Sequence, residues 1–210
     1  MAPEGGRWSG CASASPSPRA WAAAALLGLN ALWGLGHSSE RLGQLAATLG
    51  SDVPFFLSGG TALAEGRGER VTPLPDVAPA WLVLLVPALQ ISDKTRSMYA
   101  ALTPDDFSDG SRTAALAERL RGGEGVRDED LYNAFERTAF EVFEGLAAYR
   151  EALLAAGARR VHVAGSGPAL FALGPDEAAA KAVRDKVSLR GGWLFVVRTL
   201  SAAEVLLAEP

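Results

Sequence analysis

The sequence predicts an α+β fold in two parts, on three observations. Over residues 78–200, apolar runs suited to strands and stretches of helical period follow one another in the order β-α-β-β-α-β. Pro73, Pro75 and Pro79 fall where this periodicity lapses, which sets a boundary near residue 77. Hydrophobic residues make up 49% of the 210, enough for a core, and 21% charge is ordinary for a soluble protein.

Taken in order, residues 1–19 are rich in Gly, Ser, Pro and Ala, with Pro16 and Pro18 opposing regular structure, and read as disordered. A helix follows over about Ala22–Leu35. Ser38 or Ser39 caps the next, with Glu40 favoured in its first turn by the helix dipole, Leu42, Leu45, Ala46 and Leu49 as its apolar stripe, and Gly50 at its end. Gly60–Glu65 and Glu69–Pro73 form a hairpin around Gly66-Arg67-Gly68. Trp81–Val86 is a continuous apolar run suited to a strand covered on both faces. Helical patterns cover Asp93–Leu102, Ser111–Arg121 and Asp130–Ala156, the last ended by Gly157. Then come strand Arg160–Ala164, a glycine turn, strand Ala169–Leu173, helix Asp176–Leu189 and strand Trp193–Thr199. With extra helices in its first crossover, this is the ferredoxin-like order. Residues 201–210 read as a tail.

Composition excludes several functions. A net charge of −4 gives no electrostatic basis for nucleic-acid binding. Cys11 is the single cysteine, so no intrachain disulfide forms, and His37 and His162 lack ligand spacing, so no metal site is expected. Ala20–Gly36 carries no charge, but Gly28, Asn30, Gly34 and Gly36 interrupt it and it is short for a membrane span. The reading is a protein of the reducing cytoplasm with no membrane partner.

Two tracts point to chemistry. In LGSDVPFFLSGG, Leu49–Gly60, Asp52 sits between a helix end and Val53-Pro54-Phe55-Phe56-Leu57, which are expected to shield it from bulk water. A carboxylate so placed can orient a hydroxyl and accept its proton, or simply cap the turn that follows. In AGSGPALFAL, Gly165, Ser166 and Gly167 let backbone N–H groups approach a phosphate, or simply make a tight strand connection. Thr95 and Tyr99, four apart, share one helix face, where the ring either stacks on a base or packs internally.

Together LLGLNALWGLG, LGSDVPFFLSGGTALAEGRGE, ISDKTRSMY, YNAFE and AGSGPALFAL, in this order, resemble the GHMP family of small-molecule kinases from about Leu26 to Leu200. The resemblance implies a GHMP kinase-like two-domain architecture: residues 1–25 aberrant, 26–77 a remnant of the N-terminal domain, 78–200 the ferredoxin-like C-terminal domain. It implies ATP and Mg²⁺, a cytidyl-bearing small-molecule substrate of isoprenoid precursor synthesis, Asp52 as catalytic base, Thr95 and Tyr99 on the substrate nucleotide, and Gly165, Ser166 and Gly167 beside the phosphates. Asn133 of YNAFE matches a family position with a structural role. A homodimer is compatible. A non-catalytic ferredoxin-like binding module, or a GHMP kinase for homoserine, mevalonate or a sugar, are the competing readings.

Two family elements are not found in the 210 residues. The glycine-rich ATP loop belongs just before LLGLNALWGL, where Ala14–Ala25 reads ASPSPRAWAAAA, and a lysine-bearing first strand has no counterpart, Lys94 lying well past Asp52. GC-rich codons for the family-like peptide R-I-P-V-A-A-G-L-G-G-G, read one base later, encode A-S-P-S-P-R-A-W-A-A-A, which matches Ala14–Ala24 throughout. The expectation is a shifted reading frame up to about Leu26, checked by the nucleotide sequence of the locus. Residues 1–75 should then be poorly folded alone and 78–200 self-sufficient, since each large apolar side chain left exposed forfeits about 1.5–3 kcal/mol.

Overall fold

The computed structural model describes residues 18–89, 94–189 and 191–206. The chain separates after Pro73 into two compact units.

The first unit holds α1 (Pro18–Leu32), α2 (Ser39–Leu49), α3 (Phe55–Ser58), β1 (Ala62–Glu65) and β2 (Arg70–Pro73). Helix α1 begins four residues before the expected Ala22. Pro18 is its first residue, where the missing N–H costs nothing and the fixed φ suits a helix, so Pro18 and Arg19 are helical rather than disordered. Residues 1–17, including Cys11, Pro16 and the start of the Ala14–Ala24 tract, lie outside the described residues. Ser38 is the cap of α2, its hydroxyl accepting from Arg41 N–H at 3.2 Å, and Gly50 ends the helix. Leu42 and Ala46 are buried, but Leu49, expected in the same stripe, is exposed. The hairpin pairs Ala62 with Pro73 and Glu65 with Arg70.

This unit's core is small. Ala23, Ala46 and Val53 are buried, with Ala22, Leu26, Phe56 and Leu57 packed around them. Trp21, Leu29, Leu32, Trp33 and Leu35 stay exposed, so most of the apolar surface of α1 and the turn after it faces outward.

The second unit is built on a four-stranded antiparallel sheet of order β4-β5-β3-β6, where β3 is Trp81–Val86, β4 His162–Val163, β5 Leu170–Gly174 and β6 Trp193–Arg198. Pairing places Val83 opposite Ala172 and Val196, and Val163 opposite Leu170, which gathers small and branched residues on one face. Helices α4 (Lys94–Ala100), α5 (Ser111–Arg121), α6 (Glu136–Val142), α7 (Leu146–Ala155) and α8 (Glu177–Lys186) accompany the sheet. Met98, Ala139, Phe143, Leu146, Leu153 and Ala180 meet Val83, Leu85, Val163, Leu170 and Ala172 in one buried cluster, so this unit carries the sizeable core. The order and the antiparallel pairing are those of the ferredoxin-like pattern expected from the sequence.

Three elements differ from expectation. The helix expected over Asp130–Ala156 is broken into α6 and α7, because Phe143 leaves helical geometry (ψ 92°) and Gly145 takes φ 85°. Residues 131–135 do not continue it upstream either, only the 3₁₀ turn Asp128–Asp130 preceding them. Strand β4 keeps only His162 and Val163 of the expected Arg160–Ala164. Asp176 caps α8 by accepting from Ala179 N–H at 2.8 Å, and α8 stops at Lys186 rather than Leu189. After β6 the chain is tied down. Helix α9 (Ala202–Leu206) begins with Ala202 N–H donating to Asp76 at 3.0 Å, and Glu204 pairs with Arg198 at 2.6 Å.

Candidate functional site

In the first unit, Asp52 follows the end of α2 in a turn held by Val53 N–H donating to Gly50 at 3.1 Å. Adjacent side chains here point opposite ways. Val53 is 1% exposed and enters the small core, while the Asp52 side chain is 57% exposed. The expected shielding of this carboxylate is therefore not found: the apolar tract buries its own residues and leaves Asp52 facing outward. Nor does Asp52 cap α3, whose N-cap is Pro54 with no side-chain cap bond. Its partner is the guanidinium of Arg19, with Nε 3.1 Å from Oδ2, a residue that sequence reasoning did not connect to the site. The hairpin turn also comes close, since a Cβ on Gly68 would lie 3.6 Å from Asp52 Oδ1.

In the second unit, three of the sequence tracts meet through one side chain. Asn133 Nδ2 donates to Val163 O and to Gly165 O, both at 2.8 Å, and its Oδ1 accepts from Phe135 N–H at 2.9 Å. The YNAFE loop is thereby fastened to the glycine turn. Phe135 in turn meets Tyr99 edge-on, ring centres 5.0 Å apart, which brings the ISDKTRSMY tract to the same place. Tyr99 is 61% exposed, so most of its ring is open to a ligand. Thr95 lies on α4 one turn before Tyr99; its side chain, like residues 91–93, falls outside what is described.

The three turn residues are not equivalent. Gly165 (φ 56°) has no atom within 4 Å of where a Cβ would stand, and the N–H groups of Gly165 and Ser166 point to no partner among the described residues. Gly167 (φ 72°) is buried instead: a Cβ there would lie 3.2 Å from Phe143 and 3.3 Å from Val163, and its N–H donates to Ala164 O at 3.0 Å. Gly165 and Ser166 thus offer free donors at the surface, whereas Gly167 is a packing requirement.

Behind the loop, Asp106 is buried and accepts from Thr103 N–H and Oγ, both at 2.8 Å, and from Arg137 Nε at 2.7 Å. The Arg137 guanidinium, with the Thr103 donors, holds its carboxyl well below the usual carboxylate range. Tyr132 Oη donates to Asp106 O at 2.7 Å, so this ion pair braces both sides of Asn133.

A protein-family model described as GHMP kinases C terminal matches residues 114–191. The 4-diphosphocytidyl-2-C-methyl-D-erythritol kinase of Dehalococcoides mccartyi (strain BAV1) is 47% identical over 180 residues, covering 85% of this chain and 63% of that protein. The protein of the same name from Gloeobacter violaceus is 41% identical over 195 residues, covering 90% and 64%. A crystal structure of 4-(cytidine 5'-diphospho)-2C-methyl-D-erythritol kinase superposes with a TM-score of 0.66 at 35% identity, over 85% of this chain and 63% of that one. Homoserine kinase from Cytophaga hutchinsonii, at 17% identity and a TM-score of 0.58, shares the fold. The chain spans less than two thirds of the length of the kinases it resembles. Residues 114–191 thus match the C-terminal domain of the GHMP kinases, inside a stretch similar to the kinases above that runs over 85% of the chain.

Proposed function

We propose that this chain is the acceptor-side part of an ATP-dependent kinase that phosphorylates the C2 hydroxyl of 4-diphosphocytidyl-2-C-methyl-D-erythritol. The observation that carries this reading is the 47% identity, over 85% of the chain, to kinases bearing that substrate's name. The local geometry supports it: an open ring at Tyr99 and two unused N–H groups at Gly165 and Ser166 stand on one rigid assembly fastened by Asn133.

In this reading Tyr99, with Thr95, takes the cytosine end of the substrate, and the N–H groups of Gly165 and Ser166 face its phosphates. Asp52 accepts the hydroxyl proton as the new O–P bond forms and the bond to the ADP leaving group breaks. The role proposed for Gly167 is narrower than the sequence implied, namely to let the turn pack on Phe143. Asp52 must exchange Arg19 for substrate, which two largely exposed partners can do at little cost. Mg²⁺ would arrive with ATP. Among the described residues no group of three or more His, Cys, Asp or Glu is placed to hold a metal, so no step is assigned to a protein-bound ion.

The 210 residues lack the glycine-rich ATP loop, so transfer needs that cradle supplied. Exposure of Asp52 favours a second reading for the 210-residue chain itself, a module that binds the cytidyl ligand without transferring phosphate. We place either form in the cytoplasm, where the nucleotides are; among the described residues no helix is long and apolar enough to cross a membrane. Titration with cytidine, which carries no phosphate, followed by calorimetry, tests the shared element. Binding that weakens about tenfold on Tyr99→Ala supports both forms, and cytidine binding indifferent to Tyr99 contradicts both.

A further inference from the structure

On the second unit, a surface depression of about 450 Å³ is lined by four arginines from three segments. Arg112 comes from the first turn of α5, Arg150 from α7, and Arg159 and Arg160 from the segment entering β4. None of Asp52, Tyr99, Asn133 or the glycine turn lines it, so it is not the site described above. Two carboxylates, Glu136 and Glu151, share the lining, which leaves a surplus of positive charge.

The arginines are held by rings more than by carboxylates. Arg112 lies over the Tyr132 ring at 5.2 Å and Arg150 over Phe140 at 4.4 Å, with Glu151 at 3.4 Å from Arg150 Nε. A guanidinium stacked on a ring keeps its N–H edge free for an incoming oxyanion and is already oriented. Arg159 and Arg160 are exposed and meet no carboxylate among the described residues. Four planar forks around one concavity suit a ligand with two adjacent phosphoryl groups, each able to take paired N–H donors. The volume is that of a small-molecule pocket. The whole chain's net charge of −4 disfavours an extended polyanion such as nucleic acid.

We propose that this arginine-lined depression is a second ligand site that binds a diphosphate group, free or as part of a nucleoside diphosphate, with Tyr132 as the ring wall for the attached base. Its arginines have no part in the kinase reading; the two sites share only the YNAFE loop, whose Tyr132 and Glu136 line the depression and whose Tyr132 also bonds Asp106.

The test is calorimetric titration of the full 210-residue chain with inorganic diphosphate, then with ADP and CDP in competition. Saturable binding of one diphosphate is expected, displaced by both nucleotides but not by the nucleosides. R159A/R160A should weaken it about tenfold or more, since each charged hydrogen bond carries on that order. R159K/R160K should recover only part, because an ammonium lacks the fork. Glu151→Gln should tighten binding, an outcome that misfolding cannot mimic. Absence of saturable binding, an unchanged affinity in R159A/R160A, or a loss of diphosphate binding on Gly165→Ala with Arg159 and Arg160 in place would overturn the proposal.

Discussion

Replacing Asn133 by alanine removes three hydrogen bonds at once, to Val163 O, Gly165 O and Phe135 N–H. Their costs differ. The Gly165 carbonyl is at an exposed residue, so water replaces Asn133 there, and the net loss is about 0.5–1 kcal/mol. The Val163 carbonyl belongs to a strand residue 2% exposed, and leaving it unpaired costs about 1–2 kcal/mol. The Phe135 N–H adds about 0.5 kcal/mol. The sum is about 2–3.5 kcal/mol, or a fall in melting temperature of roughly 5–12 °C for a unit of this size. Asn133→Asp should be at least as harmful. It keeps an acceptor for Phe135 but sets a carboxylate oxygen against two carbonyls. Thermal melts followed by circular dichroism measure the stability, and amide exchange at Gly165 and Ser166 locates the loss. A cost below about 0.5 kcal/mol, or unchanged exchange at the turn, would refute the role given to Asn133.

Gly167→Ala should destabilise by about 2–4 kcal/mol, since strain at positive φ adds to overpacking against Phe143 and Val163, while Gly165→Ala should cost only about 1–2 kcal/mol because its surroundings are open; paired denaturation curves decide the ranking. Leu153→Ala, in the second unit's core, should cost about 2–5 kcal/mol in the same assay. Asp106 has a folded pKa below its unfolded value, so its stabilising contribution is complete above the ordinary carboxylate range and is lost progressively as pH falls below that range toward the folded value. Glu204, lowered to about 2 by Arg198 and the Ser201 donors, behaves likewise, so amide protection of α9 should disappear as pH drops from about 4.5 toward 2. Arg198→Ala should abolish that step. Arg19→Ala should change stability by less than about 1 kcal/mol, because the pair with Asp52 is largely exposed.

Much of the second unit was legible because its signals are local. Trp81–Val86 is an uninterrupted apolar run between prolines, and Ser111–Arg121 is a helical pattern followed by glycines, so both elements have the expected bounds. The break between α6 and α7 was not, because Ala139, Phe143, Leu146 and Leu153 keep helical spacing across it and all reach the same core. The signal available was Gly145, a residue helices also tolerate. The resemblance gave Asn133 a structural role but not its partners, since two of them lie 30 and 32 residues away and spacing says nothing of such distances. Asp52 misled in another way. Apolar neighbours suggested burial, but in a turn neighbouring side chains diverge, and Val53 took the interior. The arginines at 112, 150, 159 and 160 are scattered in sequence and converge only through the packing of α5, α7 and β4.

The central proposal is that this chain carries the acceptor side of a phosphoryl transfer. Trp21, Leu29, Leu32 and Trp33 of the first unit are exposed, in the same unit as Asp52. Transfer of phosphate is therefore the decisive measurement. Radiolabelled ATP and 4-diphosphocytidyl-2-C-methyl-D-erythritol are incubated with the 210-residue chain, and with a chimera in which the N-terminal part of the Dehalococcoides mccartyi kinase is joined at Leu26. The chimera should phosphorylate the substrate and lose that activity on Asp52→Asn, while the 210-residue chain should not turn over. Turnover by the 210-residue chain, or a chimera whose activity survives Asp52→Asn, would contradict the account.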